Sequence, residues 1–376
     1  MFSKAINLFS ISGFQIKVDA SWLLIATLIT WGLAKHYFPY SFPSQSAQTY
    51  LIMSIVTMLC FFATLLLHEI AHSVVARRFG IPIKGITLFL FGGVAELNAE
   101  PQSARAEFWV ALAGPVMSLA LSFGFWGLAS ILELVLANRA VLEILSYLAI
   151  INLVLALFNL IPAFPLDGGR ILRAYLWHRK KNLLRATEIA SKFGEGFAYV
   201  LMALGVFSLL QGALVGGLWY MLIGTFVLTA ARSSYQSQLA QTVFAFKSVG
   251  DLMTRDPVVV APHITLSDFV NTIMLQNRIG FVPVVESGVL LGHINPSVLA
   301  AIDRENWSST QVGDVFVGLD YTQTVSPDMP VQDLLAIISK TGRRKFMVVQ
   351  HQQLRGVITL ADLTGYLRLS ETLQPH

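Results

Sequence analysis

Residues 66–73 read Leu66-Leu67-His68-Glu69-Ile70-Ala71-His72-Ser73 and close a long apolar run. His68 and His72 are four residues apart, so on a helix their side chains lie on one face and can share a metal ion. Neutral imidazoles suit Zn²⁺, and Glu69 between them is placed to take a proton from an activated water molecule. Two histidines that satisfy each other inside a helical bundle would produce the same short pattern. Ionisable residues inside an apolar segment are costly and usually functional, which favours the metal site.

Charge is unevenly distributed along the chain. Of its 376 residues, 55% are hydrophobic and only 13% are charged, whereas an average soluble domain is about 25% charged. Long apolar runs fill residues 1–235, and residues 245–376 have the composition of a soluble α/β domain. The net charge of +4 is spread between the apolar runs, which argues against nucleic-acid binding. The sequence therefore predicts a membrane domain followed by a water-soluble domain.

Six runs are long enough to span a bilayer as helices, which takes about 20 mostly apolar residues. The predicted spans are 20–38, 50–76, 107–137, 141–163, 194–212 and 214–232. Most lysines and arginines fall in the connections on one side, such as Arg77–Arg78 and the basic stretch 170–185, and only Lys35 and Arg139 fall on the other. Because positive charge accumulates on the cytosolic side, both termini and the soluble domain are predicted to be cytosolic.

A second motif ends the fourth span, where residues 159–170 read Asn159-Leu-Ile-Pro162-Ala-Phe-Pro165-Leu-Asp167-Gly-Gly-Arg170. A catalytic zinc site needs a third protein ligand, and Asp167 lies at the same predicted depth as the two histidines. The prolines break the helix, and Gly168–Gly169 allow a tight turn. The alternative is a plain turn with a surface aspartate. It does not explain why Asp167 is the only acidic residue between positions 143 and 188.

Together the two motifs resemble those of the site-2 protease family of intramembrane zinc metalloproteases, over roughly residues 15–185. The resemblance implies that His68, His72 and Asp167 bind one zinc ion and that Glu69 is the general base. It also implies substrates that are single-span membrane proteins.

The family resemblance extends to residues that would handle the substrate. Asn159 matches a polar residue that holds substrate near the metal, and Asn152 is a weaker candidate on the same helix. Residues 85–98 are too short to span as a helix and predict two extended runs around Gly92-Gly93. The family has a membrane-dipping β-hairpin here, whose exposed edge could pair with an unwound substrate, so both glycines are substrate-binding candidates. A buried loop is the alternative.

Three further details bear on the resemblance. Ala113-Gly114-Pro115 predicts a kink in that span, as in the family. Ser118 stands where relatives often carry asparagine, and Asp19 stands where many carry histidine. Neither departure touches the implied zinc ligands.

The soluble domain is an internal duplication. Ser248-Val-Gly-Asp251-Leu-Met recurs 63 residues later as Gln311-Val-Gly-Asp314-Val-Phe, and each copy continues with a helix, a strand and a Gly-x-Ile motif. A repeat of this length cannot bury a core alone, so the copies should pack together. The pattern resembles a pair of CBS modules, over 248–304 and 311–370, joined to the protease domain 1–235 by a linker at 236–247.

Pairs of CBS modules often bind adenine nucleotides between the copies. Thr359 and Asp362 match the positions that hold phosphate and ribose, whereas Val298 replaces the aspartate in the first copy. At most one nucleotide site is therefore expected. A module that forms a homodimer without any ligand is the alternative.

These observations predict a polytopic α-helical membrane protein with about six transmembrane helices and a membrane-associated β-hairpin, followed by a soluble α/β CBS pair. The predicted function is intramembrane proteolysis by a zinc enzyme in a prokaryotic cell membrane. A CBS-regulated transporter or channel is one alternative, but the six spans show no repeated halves. A catalytically inactive membrane binding protein is the other, although every metal and base position is filled.

Overall fold

The computed structural model describes residues 6–11, 14–89, 92–97, 101–135 and 138–373, except for the side chains at positions 84 and 94–97. The chain divides into two compact units, Met1–Gln236 and Ser237–His376. Each is described separately below.

The first unit is built of long helices and one small sheet. Its helices are α1 (Ser21–Gly32), α2 (Ala47–Arg78), α3 (Ala104–Val135), α4 (Arg139–Asn159), α5 (Asp167–Lys180), α6 (Leu183–Leu210) and α7 (Leu214–Val243), the last of which continues into the second unit. Its strands are β1 (Ile6–Ile11), β2 (Phe14–Val18), β3 (Ile83–Phe89) and β4 (Gly92–Leu97). Ser46, Asn138 and Asn182 cap α2, α4 and α6 by accepting a hydrogen bond from a first-turn amide.

Within the described residues, five helices are long and apolar enough to cross a membrane: α2, α3, α4, α6 and α7. They confirm five of the six predicted spans, although residues 136–137 of the third lie outside the described part. The predicted first span, 20–38, is not a single α-helix, because α1 passes into a π-helical stretch, Leu33–Tyr37, and a short turn, Phe38–Ser41. Pro39 accounts for the change, since it has no amide hydrogen and its ring crowds the preceding turn.

Two predicted connections are helical in the structure. The basic stretch 170–185 forms most of α5 and the start of α6, and α7 runs through the predicted linker as far as Val243. Apolar-run counting misses both because α5 carries basic residues among its apolar ones, and α7 becomes polar after it leaves the apolar run.

The sheet has the order β1-β2-β3-β4, with β2 and β3 parallel and the outer pairs antiparallel. The sequence analysis did not predict β1 and β2. Phe14, Ile16 and Ile86 are buried on one face of the sheet against Leu66 and Ile70 of α2. Those two positions flank His68, so the sheet packs on the turn of α2 that carries the histidine motif.

The predicted hairpin is present as β3 and β4, but its predicted turn residues, Gly92 and Gly93, lie in β4, where they pair with Phe89 and Leu88. Residues 90–91 and the predicted last residue, Asn98, lie outside the described residues. Gly92 has a φ of +133°, a conformation that side chains rarely adopt. Among the described strands β4 forms an edge of the sheet.

A buried ion pair joins α3 to α5. Glu107 is fully buried and Arg173 is 8% exposed, and the Arg173 Nε donates to the Glu107 Oε1 at 2.6 Å. The guanidinium also lies 5.1 Å from the ring centroid of Phe164. The sequence analysis counted Arg173 only among the basic residues that set the membrane orientation. In the structure it links α5, the helix that begins at Asp167, to α3.

The second unit contains two sheets, ordered β5-β11-β10-β9 and β6-β7-β8. Its strands are β5 (Thr254–Arg255), β6 (Val282–Glu286), β7 (Val289–Ile294), β8 (Val317–Gly318), β9 (Thr324–Val325), β10 (Lys345–Gln350) and β11 (Gln353–Thr359). Its helices are α8 (Val249–Leu252), α9 (Leu266–Asp268, continuing through Phe269–Met274 and Leu275–Asn277), α10 (Pro296–Leu299), α11 (Val312–Val315), α12 (Val331–Thr341) and α13 (Leu360–Leu373), with 3₁₀ turns at Arg304–Asn306 and Tyr321–Gln323.

The two copies of the repeat exchange their leading segments. β5 pairs with β11 of the second copy, and β8 pairs with β7 of the first. The amides of Val249 and Gly250 donate to carbonyls of the second copy, and those of Val312 and Gly313 donate to carbonyls of the first. Val249 and Val312 are each buried in the core of the other copy. Neither copy therefore completes its own core, as the length of the repeat predicted.

The buried ion pair predicts a stability effect. Arg173→Met leaves the Glu107 carboxylate buried without its partner, and we expect a loss of about 3–5 kcal/mol. Thermal unfolding of the purified protein in detergent measures it. Arg179→Met, at an exposed position of the same helix, should change stability by about 0.5 kcal/mol or less. The double variant Glu107→Leu/Arg173→Met should recover much of the loss. A single variant as stable as the wild type would show that the pair does not hold α5.

Candidate active site

Three predicted ligands meet in the interior of the first unit. His68 and His72 extend from α2, and Asp167 is the first residue of α5. The Nε2 atoms of the two histidines are 3.1 Å apart, and they lie 3.3 Å and 3.1 Å from the Asp167 Oδ2. All three residues are buried, with 2%, 6% and 8% of their surface exposed. The structure thus brings together residues that are 95 and 99 positions apart in the chain.

The hydrogen bonds of the histidines orient their free nitrogens toward this point. The His72 Nδ1 donates to the Val110 carbonyl oxygen at 2.6 Å, so its Nε2 presents a lone pair. The His68 Nδ1 lies 2.8 Å from the Ser118 Oγ, which can accept a hydrogen bond from it. In that tautomer the Nε2 of His68 is unprotonated, as it is in His72. Ser118, which the sequence analysis singled out only as a departure, is therefore the partner that orients His68.

The donor set fits a divalent metal ion. Two imidazole nitrogens and a carboxylate oxygen face one another at 3.1–3.3 Å, an arrangement that a bound cation would stabilise. Ligands about 2.0 Å from a tetrahedral zinc ion lie about 3.3 Å from one another. Two nitrogens and one oxygen from protein, with a fourth position left for water, form the composition of a catalytic zinc site.

Gly114 is the residue of α3 that makes room for this cluster. A Cβ at position 114 would overlap the Nε2 atoms of both His68 and His72. Pro115 does not interrupt α3, which runs as one helix from Ala104 to Val135. The glycine is needed because the backbone of α3 approaches the imidazoles directly.

Two more glycines allow Asp167 to reach the histidines. Gly168 and Gly169 lie in the first turn of α5 and not in a separate turn as predicted. A Cβ on Gly168 would overlap the carbonyl oxygens of Leu160 and Ile161, and one on Gly169 would overlap the amide nitrogen of Phe164. The start of α5 is thus packed against the chain that leaves α4, which no side chain would permit.

Glu69 and three of the four candidate substrate residues line a cavity of about 320 Å³ beside the three ligands. Asn159, Gly92 and Gly93 line it together with Glu69. A Cβ on Gly93 would lie 2.6 Å from the Glu69 Cγ, so β4 passes directly over that side chain. Arg170, one turn after Asp167, lines the cavity as well, although the sequence analysis counted it only as a topology charge.

The two candidate asparagines are in different positions. Asn159 lines the cavity, and its Nδ2 donates to the Leu155 carbonyl at 3.0 Å. Asn152 is fully buried two turns earlier in α4, about 10 Å deeper along the axis. Its Nδ2 donates to the Leu148 carbonyl, and it is not among the residues that line the cavity. The structure therefore places Asn159 near the ligands and Asn152 away from them.

Thr359 and Asp362 lie at the start of α13 in the second unit. Asp362 accepts hydrogen bonds from the Thr359 amide and hydroxyl at 2.8 Å, and the Asp362 amide donates to the Thr359 Oγ1. The pair thus caps the helix, a structural role that the sequence analysis did not weigh. Both residues also line a cavity of about 300 Å³ that includes Lys345, Asp256 and the Phe281 ring.

Sequence comparisons point to the same two parts of the chain. The model of Peptidase family M50 matches residues 56–134 and 124–203, and the CBS domain model matches residues 249–299 and 314–369. The two ranges matched by the Peptidase family M50 model together include the three converging ligands and Glu69. The CBS domain matches cover most of each copy of the repeat.

Relatives align over nearly the whole chain. "Putative zinc metalloprotease Rip3" of Mycobacterium tuberculosis is 37% identical over 374 residues, which cover 99% of this chain and 95% of that protein. "Putative zinc metalloprotease sll0528" of Synechocystis is 30% identical over 365 residues, or 96% of this chain and 95% of that protein. A solved structure of a site-2 protease from Methanocaldococcus jannaschii is 30% identical and covers 61% of this chain and 95% of that one, with a TM-score of 0.44.

The geometry predicts the metal content of the purified protein. We expect about one zinc ion per chain in the wild type and a loss of most of it in His68→Ala and Asp167→Ala, since each removes one of three ligands. Gly114→Ala should lose zinc as well, because its methyl group overlaps both imidazoles. Elemental analysis of protein purified without chelator measures the ratio.

The matched control for the glycine is Gly124→Ala in the same helix, where an added Cβ meets nothing within 4 Å. This variant should keep its zinc. Zinc retained without Asp167 would mean that the third ligand is another residue. Zinc retained in Gly114→Ala would contradict the close approach of α3 to the histidines.

Proposed function

Because the chain belongs to Peptidase family M50, the site-2 protease family, we propose that it is an intramembrane zinc metalloprotease that hydrolyses peptide bonds of single-span membrane proteins. The observation that carries the proposal is the convergence of His68, His72 and Asp167 beside Glu69, at one cavity among membrane-spanning helices. The two relatives described above are named as zinc metalloproteases, which supports the same reaction class.

Each residue has a distinct part in this mechanism. His68, His72 and Asp167 would hold the zinc ion, which when bound acts as a Lewis acid that makes water nucleophilic near neutral pH. Glu69, adjacent to His68 and facing the same cavity, accepts the proton of the attacking water and delivers it to the leaving amine. The Asn159 amide and the Arg170 guanidinium lie on the cavity wall, where they can bind and orient the substrate carbonyl.

The edge strand β4 offers a way to present the substrate. A transmembrane helix hides its carbonyls in hydrogen bonds, so it must unwind before hydrolysis. An extended segment that pairs with β4 would regain backbone hydrogen bonds while its peptide bond lies near Glu69. Gly92 and Gly93 line the cavity at the beginning of β4. Because glycine has no side chain, neither residue blocks this approach.

The distribution of charge supports a particular orientation. We infer that the protein lies in a prokaryotic cell membrane with both termini cytosolic, since the basic residues concentrate in the connections on one side. The second unit would then be a cytosolic regulatory domain, and its CBS modules would be the contact in a homodimer.

The first test removes the proposed general base. Glu69→Gln should lower the rate of cleavage by about 10²–10⁴-fold, because it cannot accept a proton. The variant and wild type are reconstituted in liposomes with a panel of single-span membrane proteins, and products are followed by electrophoresis and mass spectrometry. Glu133→Gln, at an exposed position of α3, is the matched control and should cleave as the wild type does. Cleavage by Glu69→Gln at the wild-type rate would refute the mechanism.

We also propose that the second unit binds one adenine nucleotide, because Thr359 and Asp362 line a cavity that Lys345 and Phe281 share. Lys345 offers a cation for phosphate, and the Phe281 ring offers a surface for the base. Asp362→Ala should weaken AMP binding at least tenfold, measured by calorimetry on the full chain. Asp333→Ala, exposed on α12, is the control. A wild type that binds no AMP would favour the ligand-free dimerisation module.

A further inference from the structure

A second cavity, which we call the side chamber, lies beside the cavity that Glu69 lines. Its volume is about 270 Å³. It lies between α1, α2, α4 and α7, and its own walls include Ile25, Ile29, Phe61, Phe62, Trp219 and Ile223. Leu65, Phe89, Gly92 and Phe226 line both cavities, so the two are adjacent.

The chemistry of the side chamber differs from that of the neighbouring cavity. Within the described part of the chain, no charged side chain lines it, and the Trp219 indole supplies the one polar side-chain group on its walls. The other cavity is lined by Glu69, Asp167 and Arg170. A charged group that entered the side chamber would lose its hydration without finding a partner, whereas an apolar group would gain close packing.

The size of the side chamber restricts its occupant. Pockets for small ligands are about 300–1,000 Å³, so this one is at the lower limit. A helix with side chains is about 10–12 Å across and cannot enter such a volume. One large side chain, such as that of leucine, methionine or phenylalanine, can.

The strand β4 relates the side chamber to the reacting bond. Gly93 passes over Glu69, and Gly92, the preceding residue, lines both cavities. Successive residues of an extended substrate along β4 advance about 3.3 Å and point to alternate faces. A side chain that reaches the side chamber therefore belongs to a residue next to the bond held at Glu69.

We propose that the side chamber is the specificity subsite of the enzyme and receives one large apolar side chain from a residue that flanks the scissile bond. The inference rests on the proposed function, because it assumes that the neighbouring cavity is where the peptide bond is cut. Substrate side chains reach the side chamber from an apolar membrane, so removing them from water contributes little to the preference for large apolar residues. The preference arises instead from close packing in the side chamber and from the cost of placing a charge there.

The test uses single-span peptides with identical flanks and one varied position beside the cleavage site, reconstituted in liposomes with the full chain. We expect leucine, methionine and phenylalanine to be cleaved on the order of tenfold faster than alanine, and aspartate slower still. Ile223→Trp fills the side chamber and should shift the preference toward alanine. Trp219→Ala enlarges it and should admit tryptophan. Leu222→Trp, on the neighbouring exposed position of α7, is the control and should keep the wild-type preference.

A second measurement does not depend on cleavage. A peptide that carries photoreactive benzoylphenylalanine at the varied position is irradiated with the Glu69→Gln variant, and the cross-linked residue is identified by mass spectrometry. Cross-links to Phe61, Phe62, Trp219 or Ile223 would support the subsite even if wild-type cleavage were not observed, a result that would count against the proposed function alone. Three results would overturn the subsite proposal. They are cross-links to other residues, a side-chain preference that Ile223→Trp does not change, and a co-purified lipid chain in the side chamber.

Discussion

The fold depends on a cluster of lone pairs that must face one another in an apolar interior. Two imidazole nitrogens and a carboxylate oxygen lie 3.1–3.3 Å apart, an arrangement that a bound cation would stabilise. Three helices are arranged to permit it: α2 presents the imidazoles, α3 supplies the glycine that avoids them, and α5 begins at the carboxylate. Hydrogen bonds to Ser118 and to the Val110 carbonyl orient the imidazole rings of His68 and His72, so that their Nε2 atoms face the Asp167 carboxylate.

The surroundings of this cluster combine rigidity with access. The buried pair of Glu107 and Arg173 links α5 to α3, so the position of the carboxylate does not depend on a loop. The sheet packs on α2 at Leu66 and Ile70, on either side of His68. On the open side, the wall consists of a strand edge and two glycines, which can accept a backbone. Under the proposed function, a site of this form would select its substrate first by extended conformation and then by one flanking side chain.

The second unit shows how a duplication becomes a single structure. The leading segment of each copy packs into the core of the other copy. Val249 of the first copy is buried in the core of the second, and Val312 of the second copy is buried in the core of the first. A ligand that binds where the copies meet would therefore act on both at once. The Thr359 and Asp362 pair already caps α13, so a nucleotide that recruits Asp362 would compete with that cap. Such competition gives nucleotide binding a direct effect on local stability.

The sequence alone determined five of the six apolar spans, the types and spacing of the candidate metal ligands, Glu69 between them, and the duplication, because each is a property of composition or of residues close in the chain. It also paired His68 and His72 with Asp167, although no spacing rule relates them, through the resemblance of two motifs. Tertiary structure alone decided why Gly114, Gly168 and Gly169 are glycines, why Ser118 and Arg173 matter, and where β1 and β2 lie. The physical reason is that each of these depends on a neighbour from another element, and a contact of that kind leaves no periodic signal in the chain.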